Sequence, residues 1–327
     1  RRSFGRFASR FSGTELPRIG RSITPLPPRA VAASSSAWIA GSVTFGRSSS
    51  CFGRPLVSDG ALLATGAAAA SLSGALVVAA AAGAKVVKHG NRAASSKCGT
   101  ADCFEALGLP LDLEPEQVAE VGNECGIAFA FARTFHPAMR FVGPVRAALG
   151  MPCVFNVLGP LTNPASPKHM AVGCANRAMS PIMAAVYAAN GQTGMVYTSS
   201  EGLDEMAPTG PVSIWEFSNG KVTESEFDPT VELGLDKVTV ADLKGGEPEL
   251  NAQLFRDFLA GKDVPFRTTA LLNAASAIVA DGHQVPADAS LTERFKAAYA
   301  IAEETVDSGK ASALLDQWIT AAQSKKA

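Results

Sequence analysis

Residues 61–84, ALLATGAAAASLSGALVVAAAAGA, contain no charged side chain. A run of that length reaches the ~20 apolar residues needed to cross a bilayer. Its composition argues the other way. It is mostly Ala and Gly, with Thr65, Ser71 and Ser73 inside it, so little free energy is gained by placing it in lipid. The run therefore predicts a buried, close-packed helix that is apolar on every face and surrounded by other elements. A chain of 327 residues has enough material to surround it. No stable membrane insertion is expected.

The sequence after this run alternates between strand and helix patterns, which predicts an α/β fold with a central sheet flanked by helices. GAKVVKHG reads as a strand entering a loop. EPEQVAEVGNECG reads as a helix with Pro115 near its start and Gly126 at its end. MPCVFNVLGP and TGMVYTSS read as short apolar strands. RAMSPIMAAVYAANG reads as a helix closed by Gly191, and VSIWEFSNGKVTESEF as a hairpin around Asn219-Gly220. Three helices are expected over 247–260, 266–281 and 290–322.

Residues 1–58 are set apart by composition. They hold nine arginines, no lysine, one acid (Glu15) and serine clusters at 34–36 and 48–50. Arg-rich, Ser-rich and acid-poor is the composition of an organelle transit peptide. The expected division is an unstructured 1–58 and a catalytic domain over 59–327. The net charge of −1 gives no support to a general nucleic-acid or membrane-surface role. The six cysteines form no CxxC pair, so free thiols are expected rather than a disulfide framework or a zinc site.

Three polar clusters interrupt the apolar pattern. The first, Lys88, His89, Gly90, Asn91, Arg92, Ser95 and Ser96, follows a strand. Cations, amides, hydroxyls and backbone N–H groups at a strand end all donate to phosphate oxygens. A solvated loop fits the same residues. The second is Asp204 and Glu205, adjacent on a loop after a strand. Such a pair suits Mg²⁺, which takes one or two carboxylates and fills its other positions with water and substrate phosphates. Surface acids look the same in sequence. The third runs from His136 through Arg146 into NVLGPLTNP. Arginine can grip a carboxylate bidentately, and packing with surface ion pairs is the alternative.

Taken together, KHGNRAASS with GTAD and EALG, then HPAMR, GPVR, FNVLGPLTNP, EGLDE, LKGG, LLNAA and DSGKA, in this order, resemble the anthranilate phosphoribosyltransferases over about residues 71–322. The resemblance implies the nucleoside-phosphorylase-like transferase fold, with a large α/β domain and a small helical one. It implies transfer of a phosphoribosyl group from phosphoribosyl pyrophosphate (PRPP) to the amine of anthranilate, with Mg²⁺ as cofactor and no protein nucleophile. It carries PRPP contacts to Lys88, His89, Gly90, Asn91, Arg92, Ser95, Ser96 and Thr100, and anthranilate contacts to Asn91, His136 and Arg146. Mg²⁺ ligation falls on Asp204 and Glu205. Tryptophan synthesis makes the plastid stroma the expected compartment, with the mitochondrion as the alternative.

The departures from the family lie ahead of Lys88. Counted back without gaps, the family's GTGGD loop falls on 60–64, where only Gly60 matches. Its NIST motif falls on 70–73, where the metal-contacting serine becomes Leu72 and Ser73 keeps a hydroxyl. PRPP contacts are thus carried over to Gly60 and Ser73 alone. The family's helical first domain, which joins its homodimers, does not match either, so the resemblance leaves open whether this chain forms the family's homodimer, and it implies at most weak activity for the chain as it stands. Two rival readings share the fold. One is a pyrimidine nucleoside phosphorylase, which lacks the HPAM and FNVLGPLTNP pair. The other is an inactive relative that binds nucleic acid, which would show a basic groove and lost substrate residues.

Overall fold

The computed structural model describes residues 38–41, 66–93, 97–142, 145 and 155–326. Among them, seven strands form one sheet: β1 (Trp38–Gly41), β2 (Lys85–Gly90), β3 (Ile127–Phe131), β4 (His169–Gly173), β5 (Thr193–Ser199), β6 (Val212–Ser218) and β7 (Lys221–Phe227). The helices are α1 (Gly66–Ala81), α2 (Thr100–Ala106), α3 (Pro115–Cys125), α4 (Ala132–Phe135), α5 (Phe155–Leu161), α6 (Ser180–Ala189), α7 (Pro229–Glu232), α8 (Pro248–Leu259), α9 (Arg267–Asp281), α10 (Leu291–Asp307) and α11 (Lys310–Lys326).

The uncharged run forms α1, which is buried at every position from Ala69 to Ala80 except Leu72. It packs on α2, α8, α9, α10 and α11, and on β2 and β3. Sixteen residues fall short of a bilayer, and among the described residues no helix is long and apolar enough to cross a membrane. Packing is tight enough to require glycine. A Cβ on Gly74 would stand 2.9 Å from the Phe258 ring of α8. Gly74→Val is therefore expected to cost about 1–3 kcal/mol by overpacking, measured by urea unfolding. Stability equal to the parent's would mean that α8 gives way freely.

The sheet order is β3-β2-β1-β4-β5-β6-β7. β1 to β5 are parallel, and β6 and β7 complete the sheet antiparallel. The β6–β7 hairpin turns at Asn219 (φ 50°) and Gly220 (φ 75°), as Asn-Gly predicts. From β1 the chain steps outward to β3 on one side, then returns to β4 and steps outward on the other. The order thus reverses between β1 and β4, and ligands in open α/β sheets bind beyond the carboxyl ends of the strands at such a point.

Three expectations change. FNVLGPL, read as strand, is the helix α5, whose last turn is closed by Thr162 donating to the Leu158 carbonyl at 3.0 Å. The sheet positions go instead to the five-residue runs IAFAF and HMAVG. β3 is buried at every residue, so it shows no alternation to read. The helix expected over 290–322 is two helices, α10 and α11, broken at Gly309 with φ 77°. Finally, β1 lies within 1–58 and pairs on both sides, and the compact unit starts at Ser36. The segment set apart by composition therefore does not stay wholly outside the sheet.

Candidate active site

β2 supplies the first wall. Val86 and Val87 are buried between neighbouring strands and lock its register against Ile127 and Ala128 of β3. Lys88 follows, partly buried, with its ammonium facing the carboxylates of Asp204 and Glu205. Burial pulls the Lys88 pKa below its ordinary value, and the two acids oppose that shift.

The acid pair stands on the loop after β5. Asp204 is open to solvent yet ringed by protein, and Glu205 behind it is 4% exposed. Ser199, the last residue of β5, donates to the Glu205 carbonyl. Gly173, the last residue of β4, lies directly beneath, because a Cβ there would come 1.8 Å from the Asp204 carbonyl oxygen. The site thus sits at the carboxyl ends of β2, β4 and β5, around the point where the strand order reverses.

Burial pushes the Glu205 carboxyl up to about 8, the neighbouring Asp204 charge adds to the shift, and Ser71 and Lys88 oppose it. The Asp204 carboxyl is raised as well, first by its thin solvation, against a backbone hydrogen bond and Lys88. Two hard-oxygen acids with raised pKa values leave a site that a divalent cation would relieve. The Ser71 hydroxyl is buried and faces the Glu205 carboxyl, whose charged form it favours. No cluster of three or more His, Cys, Asp or Glu capable of holding a metal occurs among the described residues. Two carboxylates with substrate phosphates and water are what Mg²⁺ accepts, so the residues fit it.

The pH dependence has a definite sign. Glu205, raised above 4.5, contributes stability that is full below pH 4.5 and is lost as pH rises through about 8. His89, lowered from 6.5 to about 3, behaves oppositely: its contribution is full above pH 6.5 and is lost as pH falls towards 3. A Mg²⁺ held by Glu205 would have to displace its proton, so Mg²⁺ affinity is expected to rise by up to about tenfold per pH unit below pH 8. Titration calorimetry at pH 6.5 and 8.5 in two buffers checks this. An affinity flat with pH would mean that Glu205 is already ionised.

The loop after β2 is tied down by one carboxylate. Asp102 Oδ2 accepts from the Ala93 and Gly99 N–H groups, each at 2.8 Å, joining the loop's two ends at the start of α2. Thr100 is the first residue of that helix. Arg92 turns one edge of its fork to α2. Its Nη2 and Nε donate to the Glu105 carboxylate at 2.7 and 3.2 Å, and its guanidinium lies over the Phe131 ring at 5.3 Å. With one edge on Glu105 and one face on Phe131, Arg92 holds the loop to α2. Asn91 Oδ1 accepts from the Arg92 N–H at 2.9 Å.

A second polar cluster adjoins the same strand end. The rings of His89 and His136 meet edge to face with centroids 4.8 Å apart. Burial lowers both pKa values, for His89 with the further effect of His136 and Lys88. A backbone hydrogen bond with Thr162 joins His136 to the segment after α5. The structure thereby brings HPAM and NVLGPLTNP together. His89 Nε2, His136 Nε2 and Asn163 Nδ2 are buried without partners, which is uncommon for buried polar groups outside functional sites.

Ser73 does not join the site. It is fully buried, and its hydroxyl bonds back to the Ala69 carbonyl within α1. Gly60, Ser95, Ser96 and Arg146 lie outside the described residues. Ser71, Gly173 and Ser199 were not marked as site residues by sequence. Ser71 alone carried a signal, a hydroxyl inside an apolar run. A cleft of about 480 Å³ lined by Thr193, Glu216, Lys221 and Arg294 lies at the amino end of β5, away from this site.

The family model described as "Glycosyl transferase family, a/b domain" matches residues 65–312. The anthranilate phosphoribosyltransferase of Salinispora arenicola (strain CNS-205) is 50% identical over 246 residues, 75% of this chain and 69% of that one. The crystal structure of the anthranilate phosphoribosyltransferase from Thermus thermophilus superposes with a TM-score of 0.71 at 36% identity, covering 91% of this chain and 80% of that one. The Saccharomyces cerevisiae enzyme of the same name, solved in complex with PRPP and Mg, gives a TM-score of 0.68 at 28% identity, covering 78% of this chain and 69% of that one. The chain belongs to the anthranilate phosphoribosyltransferase family.

Proposed function

We propose that this chain transfers the phosphoribosyl group of PRPP to the amine of anthranilate, giving N-(5-phosphoribosyl)anthranilate and pyrophosphate in tryptophan biosynthesis. One observation carries the reading. The end of β2 is shared by a cationic and acidic cluster at Lys88, Asp204 and Glu205 and by a pair of buried imidazoles at His89 and His136. Donor and acceptor would thus meet across one strand end. The amine lone pair forms the bond to the ribose C1 carbon, the C1–O bond to pyrophosphate breaks, and the amine releases a proton.

Lys88 would stabilise the leaving pyrophosphate, and the loop closed by Asp102 would present backbone N–H groups to the phosphates. Asp204 and Glu205 would hold Mg²⁺, which when bound neutralises charge growing on the pyrophosphate oxygens. His89 and His136, kept neutral by burial, add no positive charge beside a carbon that becomes positive. Asn91 and Arg146 are the further groups proposed to meet anthranilate. No protein nucleophile is needed, so orientation and fixed charge supply the rate.

Loss of anthranilate fluorescence in the presence of Mg²⁺ and PRPP tests the activity. Turnover requiring both is expected, with no phosphorolysis of thymidine. It is expected to rise when residues 60–64 are replaced by GTGGD, because glycines let phosphate approach the backbone. A folded protein without turnover in either form would overturn the assignment. We also propose that an organelle-targeting segment precedes Trp38, supported by the arginine-rich composition and by the paired β1. Sequencing the amino terminus of the mature protein checks it, and a mature start beyond Gly41 would refute it.

A further inference from the structure

We infer that Asn273, the asparagine of LLNAA, is a positioning residue for the acid pair. From α9 it grips the backbone on the carboxyl side of Glu205 and so fixes where the two carboxylates stand. Its Oδ1 accepts from the Met206 N–H at 3.0 Å and from the Tyr197 hydroxyl at 3.0 Å. Its Nδ2 donates to the Met206 carbonyl at 3.1 Å and to the Thr269 carbonyl at 2.7 Å. Both ends of the amide are thereby occupied by fixed partners.

The amide reads Met206 as a neighbouring strand would, through its N–H and its C=O together. With Ser199 donating to the Glu205 carbonyl, three successive backbone groups after the Glu205 side chain are held: Glu205 C=O, Met206 N–H and Met206 C=O. Tyr197 on β5 ties the same amide to the strand that precedes the loop. Asn273 is 5% exposed and Met206 fully buried, so water does not replace these bonds easily. The helix that carries Asn273 packs on α1, β4, β1 and β5. The acids thus take their position from the body of the domain rather than from their own loop, as groups behind metal ligands commonly do.

This rests on the reading of Asp204 and Glu205 as the Mg²⁺–pyrophosphate site. The test uses the full chain with PRPP and Mn²⁺ in place of Mg²⁺, reading bound Mn²⁺ by electron paramagnetic resonance. Asn273→Ala is compared with Ile278→Ala, a fully buried position on the same helix. All measurements are made below every unfolding transition. Asn273→Ala is expected to weaken Mn²⁺ binding about tenfold or more, with Ile278→Ala within about twofold at similar loss of stability. Tyr197→Phe, which removes one of the four bonds and keeps the fold, is expected to weaken binding in the same direction by less.

Equal Mn²⁺ affinity in Asn273→Ala and the parent, or equal losses in both alanine variants, would overturn the inference. Should Asn273→Ala fail to fold, Tyr197→Phe decides: unchanged Mn²⁺ affinity there refutes it. If the parent binds no Mn²⁺ with PRPP, the metal-site reading fails, and hydrogen exchange of the Met206 amide then decides the clamp. Loss of protection in Asn273→Ala but not in Ile278→Ala upholds it, and unchanged protection refutes it.

Discussion

Replacing Lys88 by methionine is expected to lower kcat/KM by about a hundredfold to a thousandfold while moving the melting temperature by only a few degrees. The two effects separate because of Glu205. Removing one member of a buried ion pair usually costs about 3–5 kcal/mol, since the other charge is left unpaired. Here the Glu205 carboxyl, pushed up to about 8, is mostly protonated at neutral pH, so little buried charge is left behind. On the proposed reading, the leaving pyrophosphate would have no such relief and would lose the full effect of the ammonium. Steady-state kinetics with a parallel thermal melt measure both. A loss of several kcal/mol in stability would show instead that Glu205 is ionised and Lys88 is its counter-ion.

Gly173→Ala is expected to damage the site from below. The added carbon would stand 1.8 Å from the Asp204 oxygen and 2.5 Å from its carbonyl carbon, so the Asp204 backbone must move. A displacement of about 1 Å at a positioned group commonly costs on the order of a hundredfold in rate, and overpacking costs about 1–3 kcal/mol in stability. Unlike Lys88→Met, this variant should lose Mg²⁺ affinity and stability together. Calorimetric Mg²⁺ binding and urea unfolding measure the two losses. Unchanged Mg²⁺ affinity would mean that the acid pair tolerates movement of its own backbone.

Much of the frame was legible in sequence because local chemistry determines it. The uncharged run became a buried helix, Gly126 ends α3 in the left-handed region, and Asn219-Gly220 turns a hairpin. β3 and α5 were not legible, since short apolar runs carry no period that tells strand from helix. Lys88, Asp204 and Glu205 were each visible as residue types, but their meeting depends on how distant strands order in the sheet. Ser71 and Ser73 show a finer limit. Counting residues puts a useful hydroxyl at 73, yet the two positions lie about 200° apart on a helix of 3.6 residues per turn. The helix turns Ser71 to the acids and Ser73 into its own backbone. Nothing in the local sequence says that Arg92 meets Glu105, thirteen residues on.

The central place of α1 bears on how the protein is made. The helix leaves the ribosome well before its partner α9, which is completed about 200 residues later. At 5–20 residues per second that is a wait of roughly 10–40 s. During that time an uncharged segment, destined for contact on all sides, has few partners to cover it. Synthesis of this protein should therefore depend on chaperones that shield nascent apolar chain, and slowing translation between α1 and α9 should raise aggregation rather than yield.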